Sequence, residues 1–246
     1  MTFAIDAPTT IEQPLYEERL EIAESAVQLR SSAVRQQLLD MAPAVTLGQP
    51  QCWNLATMAQ EKGELLAAEM SLMLREADFY LLQLASSFHP QRQARVMWAR
   101  VDVYLQSTAG ENPPLAFDLY PRELYEKPND DLKVTIDPSL SFGAFGAKVE
   151  GKLGQILTTI RFRELEPVVV AYGLLQPNCG WDYQRSHQTP LAGIQVSYLI
   201  VKKPHGADAV RVTIDVKAEV STPSGLFGMR VTEQDKAQRT VVVCSK

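Results

Sequence analysis

Residues 209–220, AVRVTIDVKAEV, alternate without a fault: Val210, Val212, Ile214, Val216, Ala218 and Val220 fall on one side, and Arg211, Thr213, Asp215, Lys217 and Glu219 on the other. Successive side chains of an extended strand point to opposite faces, so this stretch offers one face to a core and one to solvent. A helix would scatter the same residues around its circumference. Other segments behave similarly. In ARVMWARVDVYLQ (94–106), Met97, Ala99, Val101, Val103 and Leu105 point one way, and Trp98, Arg100, Asp102 and Tyr104 the other. LKVTID (132–137), QILTTIRF (155–162) and GIQVSYLIVK (193–202) follow the same period, while VVVAYG (168–173) is apolar throughout and reads as a central strand covered on both faces. Short strands separated by Gly and Pro turns, with no helical pattern between them, predict a mainly antiparallel β-sandwich over residues 91–246. Within it, residues 107–131 hold Pro113, Pro114, Pro121 and Pro128 and read as a long loop.

Before Pro90 the spacing is different. Tyr16, Leu20, Ala23 and Val27, and then Val34, Leu38 and Met41, recur every three to four residues, with Pro14 suited to a first helical turn and Pro43 just past the end. A second stripe, Leu66, Met70, Met73, Ala77, Tyr80 and Leu84, alternates steps of four and three after Asn54, a side chain suited to an N-cap. These spacings predict a long antiparallel helical hairpin over 14–90 after a flexible stretch at 1–13, and so an α+β chain. Leu65, Leu72, Leu74, Phe79, Leu81 and Leu82 widen the second stripe beyond a narrow seam, which implies cover on more than one side.

Composition limits the function classes. The net charge is −5, with Asp and Glu outnumbering Lys and Arg by 12 to 6 over residues 1–92 and nearly balanced, 17 to 18, over 93–246. Nucleic-acid binding needs clustered cations, which this distribution does not provide. Cys52, Cys179 and Cys244 are odd in number and widely spaced, a pattern that predicts free thiols in a reducing compartment. The start, MTFAIDAPTTIEQP, has neither a basic n-region nor a continuous apolar stretch, and no run reaches 18 apolar residues. Together these predict a cytoplasmic location.

The densest set of reactive groups is PNCGWDYQRSH (177–187), which places Cys179, Asp182 and His187 close in sequence. A cysteine nucleophile needs a base and a positive environment that lowers its pKa. No nucleophile-elbow or thiol-protease signature surrounds Cys179, so PNCG reads as a turn, with Trp181 and Tyr183 packing back on the sheet. His89, His187 and His205 are isolated, no Cys or His pair has zinc spacing, and no phosphate-binding glycine motif occurs. No metal, cofactor or small-molecule ligand is expected.

The expected function is therefore a non-enzymatic protein-interaction or assembly module. The hairpin would dock a partner or a second copy through Met70, Leu72, Met73, Phe79, Tyr80 and Leu82, and the β-domain would present loops such as GLFGM with Leu226 and Phe227. A membrane-active protein using alternating, Gly-rich strands such as SFGAFGAKVEGKLG is the alternative, with a membrane surface less favoured than a protein partner. A thiol hydrolase using Cys179 and His187 is the third.

Overall fold

The computed structural model describes residues 8–22, 36, 39–61, 63, 68–91, 93–108, 112–125, 167–184, 191–223 and 225–244. In chain order the elements are β1 (Pro14–Arg19), β2 (Glu21–Ile22), β3 (Ala44–Gly48), β4 (Gln51–Asn54), α1 (Leu55–Glu61), α2 (Ala68–Met73), β5 (Ala77–His89), β6 (Arg95–Ser107), β7 (Leu115–Tyr120), β8 (Glu123–Tyr125), β9 (Pro167–Tyr172), β10 (Asn178–Gln184), β11 (Gly193–Pro204), β12 (Val210–Thr222), β13 (Gly225–Arg230) and β14 (Thr240–Val243). Two antiparallel sheets result. Sheet I runs β1-β3-β5-β11-β7 with β4 also on β5, and sheet II runs β2-β13-β12-β6-β10-β9-β8 with β14 also on β12.

The helical hairpin expected over 14–90 does not form: its described residues supply five strands and only short helical pieces. Two local causes explain the difference. Asn54 does cap α1, its Oδ1 accepting from the Thr57 amide at 3.1 Å, but the helix ends at Glu61 and Gly63 follows with φ of 65°. That left-handed geometry is a helix stop that glycine adopts at low cost. The second cause is that β5 is buried on both faces. Tyr80, Leu82, Leu84 and Phe88 point into the space between the sheets, while Phe79 and Leu81 point outward under the helices. Phe79, Tyr80, Leu81 and Leu82 are apolar without a break, so this part of β5 has no alternation to betray a strand and its spacing fits a heptad equally well. Along β1, β2 and the residue between them, the buried Tyr16 and Leu20 and the half-buried Ile22 share even numbers, which suits extended chain.

The main core lies between the sheets. Sheet II contributes Val96, Ala99, Val101, Val103 and Leu105 from β6, the alternating valines of β12, and Cys179, Trp181 and Tyr183 from β10. The alternation of β12 holds along its whole length, but β6 changes parity once. Trp98 pairs Glu219 and Val96 pairs Val220, so Met97 is an extra residue and Val96, not Met97, turns inward. That is the signature of a β-bulge. A second bulge joins β3 to β4: from Leu47 to Gln51 the chain advances four residues while its partner moves three, from Ser86 to Gln83.

Outside sheet I lies a smaller core, in which Leu55 of α1 meets Phe79, Leu81, Phe117, Tyr198 and Ile200, with Trp53, Met58 and Met73 packed against it. The layers are therefore helix, sheet, sheet. At both sides the chain steps from one sheet to the other. Leu20, 1% exposed, lies between β1 and β2, and the cis Tyr120-Pro121 bond lies between β7 and β8. There the buried Asp118 carboxylate accepts from Tyr120 Oη at 2.6 Å and Arg122 Nε at 2.8 Å, and Trp181 Nε1 donates to the Pro121 carbonyl at 3.1 Å. Thus β7 and β8 occupy part of 107–131, which was expected to be a loop. Strand β9 lies beside the edge strand β8, not at the centre of its sheet, with Val169 inward.

Two of the cysteines expected to be free are joined. Cys52 of β4 and Cys244 just after β14 form a disulfide with a Cα separation of 5.9 Å, tying sheet I to sheet II across 192 residues of chain. Their separation in sequence concealed a pairing that only the sandwich creates.

Candidate functional site

The polar alternates of β6, β10 and β12 come together on the outer face of sheet II. Register places Lys217, Arg100 and Asp182 in one row across three strands, and Asp215, Asp102, Gly180 and Tyr172 in the next row across four. Two carboxylates directly opposite each other, Asp102 and Asp215, would repel. Each is neutralised from elsewhere: Lys217 Nζ sits 2.9 Å from Asp102, and Arg239 Nη2 sits 2.6 Å from Asp215. Arg239 is itself fully buried, and it also donates to the Ile214 and Thr232 carbonyls. It fixes the connection between β13 and β14 under the sheet.

Arg100 is the centre of the face. Its Nε and Nη2 each donate to the Asp182 carboxylate at 2.7 Å, a bidentate fork, and its Cζ lies 5.4 Å from the Trp98 ring centre and 4.8 Å from that of Tyr172. A planar guanidinium held in this way keeps its position without further ordering. Tyr172 Oη donates to Asp102 in a short hydrogen bond. This reach is possible because position 180 is glycine: a Cβ there would lie 2.6 Å from Tyr172 Oη and would overlap the Val101 carbonyl. Gly180→Ala is expected to lower stability by about 1–3 kcal/mol through overpacking and to free Tyr172 from Asp102, checked by urea unfolding and by the tyrosine absorbance titration.

The titration behaviour points away from acid–base chemistry. Burial and the hydrogen bond to Asp102 push the Tyr172 phenol up, the Asp182 hydrogen bond pushes Arg100 up, and that from Lys217 to Asp102 pushes the lysine up. Each group is driven further into the protonation state it already holds at neutral pH. A general acid or base is tuned toward the working pH instead.

Cys179 is not a turn residue but the second residue of β10, paired with Val103 and 1% exposed. The turn lies just before it, where Leu175 adopts φ of 59° and its amide donates to Ala116 of β7. Burial, reinforced by the Asp102 charge, pushes the thiol from 9.0 up to about 12. An inward, protonated thiol is a core side chain and not a nucleophile. His187 lies outside the described residues. The unfolded chain releases the thiol proton near pH 9 while the folded state keeps it, so stability is full below that pH and falls above it. Buried Tyr183, likewise raised by desolvation, acts in the same direction. The urea midpoint is expected to drop between pH 9 and 11, and Cys179→Ala to flatten the early part of that drop.

The sequence-predicted contact residues are dispersed. Tyr80, Leu82 and Phe227 belong to the core between the sheets, Phe79 is buried beneath the helices, and Met73 packs partly against the same cluster. Leu72 is 62% exposed on α2 and Leu226 is 57% exposed on β13. Met70 lies in α2, outside the described side chains. The 132–137 and 155–162 segments and the SFGAF stretch also lie outside the described residues. Among the described residues no group of His, Cys, Asp or Glu is arranged to hold a metal ion, and no helix is long and apolar enough to cross a membrane. The sheet II face was visible in the sequence as the polar half of two alternating strands, but its cross-strand partners follow only from register. No known family model matches the chain, and no curated protein matches it in sequence.

Proposed function

We propose that the chain is a non-enzymatic assembly module that docks through the outer face of sheet II, with a second copy as its partner. The observation that carries this reading is the Trp98–Arg100–Tyr172 stack, held rigid by Asp182 and Asp102 on a sheet face. Arg, Trp and Tyr are the residue types that dominate binding energy at interfaces, and a stack already ordered loses little entropy on docking. The charge pattern supports a copy of itself as the occupant. The Lys217–Arg100 row lies beside the Asp215–Asp102 row, so a two-fold rotation lays cations over carboxylates. Sheet I offers less for this purpose, since its apolar outer surface is already covered in part by α1 and α2.

The disulfide bears on location. The expectation of a cytoplasmic site rested partly on unpaired thiols, and the Cys52–Cys244 bond removes that support. A bond of this kind persists in oxidising compartments, and we favour one. The membrane-active alternative drew on SFGAFGAKVEGKLG, which lies outside the described residues.

Sedimentation equilibrium of the wild-type chain and of Arg100→Glu tests the assembly reading. The wild type is expected to self-associate and the variant to weaken association at least about tenfold, as a centrally placed interface arginine does. A wild-type chain that stays monomeric throughout overturns the second copy as partner.

A further inference from the structure

We propose that sheet I carries, on its outer face, a binding site for a small neutral polyhydroxylated ligand of the saccharide class. The site is a cavity of about 460 Å³ between the N-terminal segment 8–13 and strands β3, β4 and β5. It lies on the opposite sheet from the face proposed for assembly and does not depend on that reading.

The cavity is built into the fold. Gly48 and Ala85 face each other at its floor, and a Cβ on Gly48 would come within 3.3 Å of Ala85 Cβ and 3.4 Å of Ile11 Cγ2, so small residues keep the space open. The Gln49 amide donates to the Gln13 carbonyl at 2.9 Å, which holds the N-terminal segment in place as a wall. The volume falls within the range of small-molecule sites.

The lining selects the ligand. Gln13, Gln49, Gln51 and Gln83 supply four carboxamides, Thr9 and Thr10 two hydroxyls, and Glu12 a carboxylate. Among the described residues no Lys, Arg or His lines the space, and so none of them offers a phosphate or other anion a counter-charge. A carboxamide presents a donor and an acceptor in one plane, the pattern that neighbouring hydroxyls match. Gln83 is the anchor. It is 5% exposed, and its Nε2 donates to Tyr198 Oη at 3.0 Å, which holds the carboxamide in place. A carboxamide already held in place loses little entropy when it meets a ligand hydroxyl.

Saturation-transfer NMR and calorimetry of the full chain against glucose, galactose, maltose and N-acetylglucosamine test the proposal, with inorganic phosphate as the anion control. At least one sugar is expected to bind, and Gln51→Ala and Ala85→Leu are each expected to weaken it about tenfold or more, the loss of one or two hydrogen bonds or of the space itself. Gln51 is exposed and Ala85 lies outside the core between the sheets, so neither variant removes a core side chain. The proposal is overturned if none of the sugars binds, if both variants bind as the wild type does, or if phosphate binds in the sugars' place.

Discussion

Reducing the Cys52–Cys244 bond lowers the free energy of unfolding by about 3–5 kcal/mol. The expectation rests on the 192 residues that the bond encloses, because a cross-link restricts the unfolded chain more as the loop grows. It also rests on position. Cys52 stands on β4 in sheet I, and Cys244 follows β14 in sheet II, so the bond ties the two layers that enclose the main core. Urea unfolding with and without reductant measures the effect, and the Cys52→Ala/Cys244→Ala double variant in oxidising buffer should reproduce it. Equal midpoints in all three samples would mean that the layers hold together without the bond.

Trp181→Ala is expected to cost about 3–5 kcal/mol, the range for deleting a large aromatic from a packed interior. Trp181 is fully buried and the largest side chain in that state. Its indole also donates to the Pro121 carbonyl at the step from β7 to β8, so the substitution removes a partner from a buried acceptor where the chain crosses between sheets. Trp181→Phe keeps most of the volume and should lie clearly between the wild type and Trp181→Ala. Unfolding midpoints of the three proteins rank the effects. A loss below about 1 kcal/mol in Trp181→Ala would contradict a tightly packed inter-sheet core.

The parts of the fold legible in the sequence are those where one face meets solvent. Strand β12 keeps its alternation from Val210 to Val220 because its outer face carries charge, and β6 keeps it but for the bulge at Met97. Strand β5 was misread because both of its faces are buried: Phe79 and Leu81 need α1 above them, and that cover is invisible in the local sequence. The cap at Asn54 was legible as a local signal, whereas the reading of a helix beyond it followed the apolar spacing further on and passed over the stop at Gly63. The same logic governs the candidate site. Trp98, Arg100 and Asp102 could be assigned to one face from β6 alone, but the Asp182 fork and the approach of Tyr172 over Gly180 require the register of three strands. Cys179 was read as part of a turn, whereas it lies in β10 opposite Val103, facing inward.

Hydroxyl-radical footprinting at rising protein concentration tests the assembly surface most directly, since it reads individual aromatic side chains. Trp98 and Tyr172 are half-buried on the sheet II face, and Trp53, also half-buried, lies beneath the helices on the other side of the molecule. Trp98 and Tyr172 should become progressively protected as concentration rises, while Trp53 keeps a constant rate and Arg100→Glu abolishes the change. Oxidation of Trp98 and Tyr172 that is independent of concentration, or protection that appears at Trp53 instead, would contradict docking through sheet II.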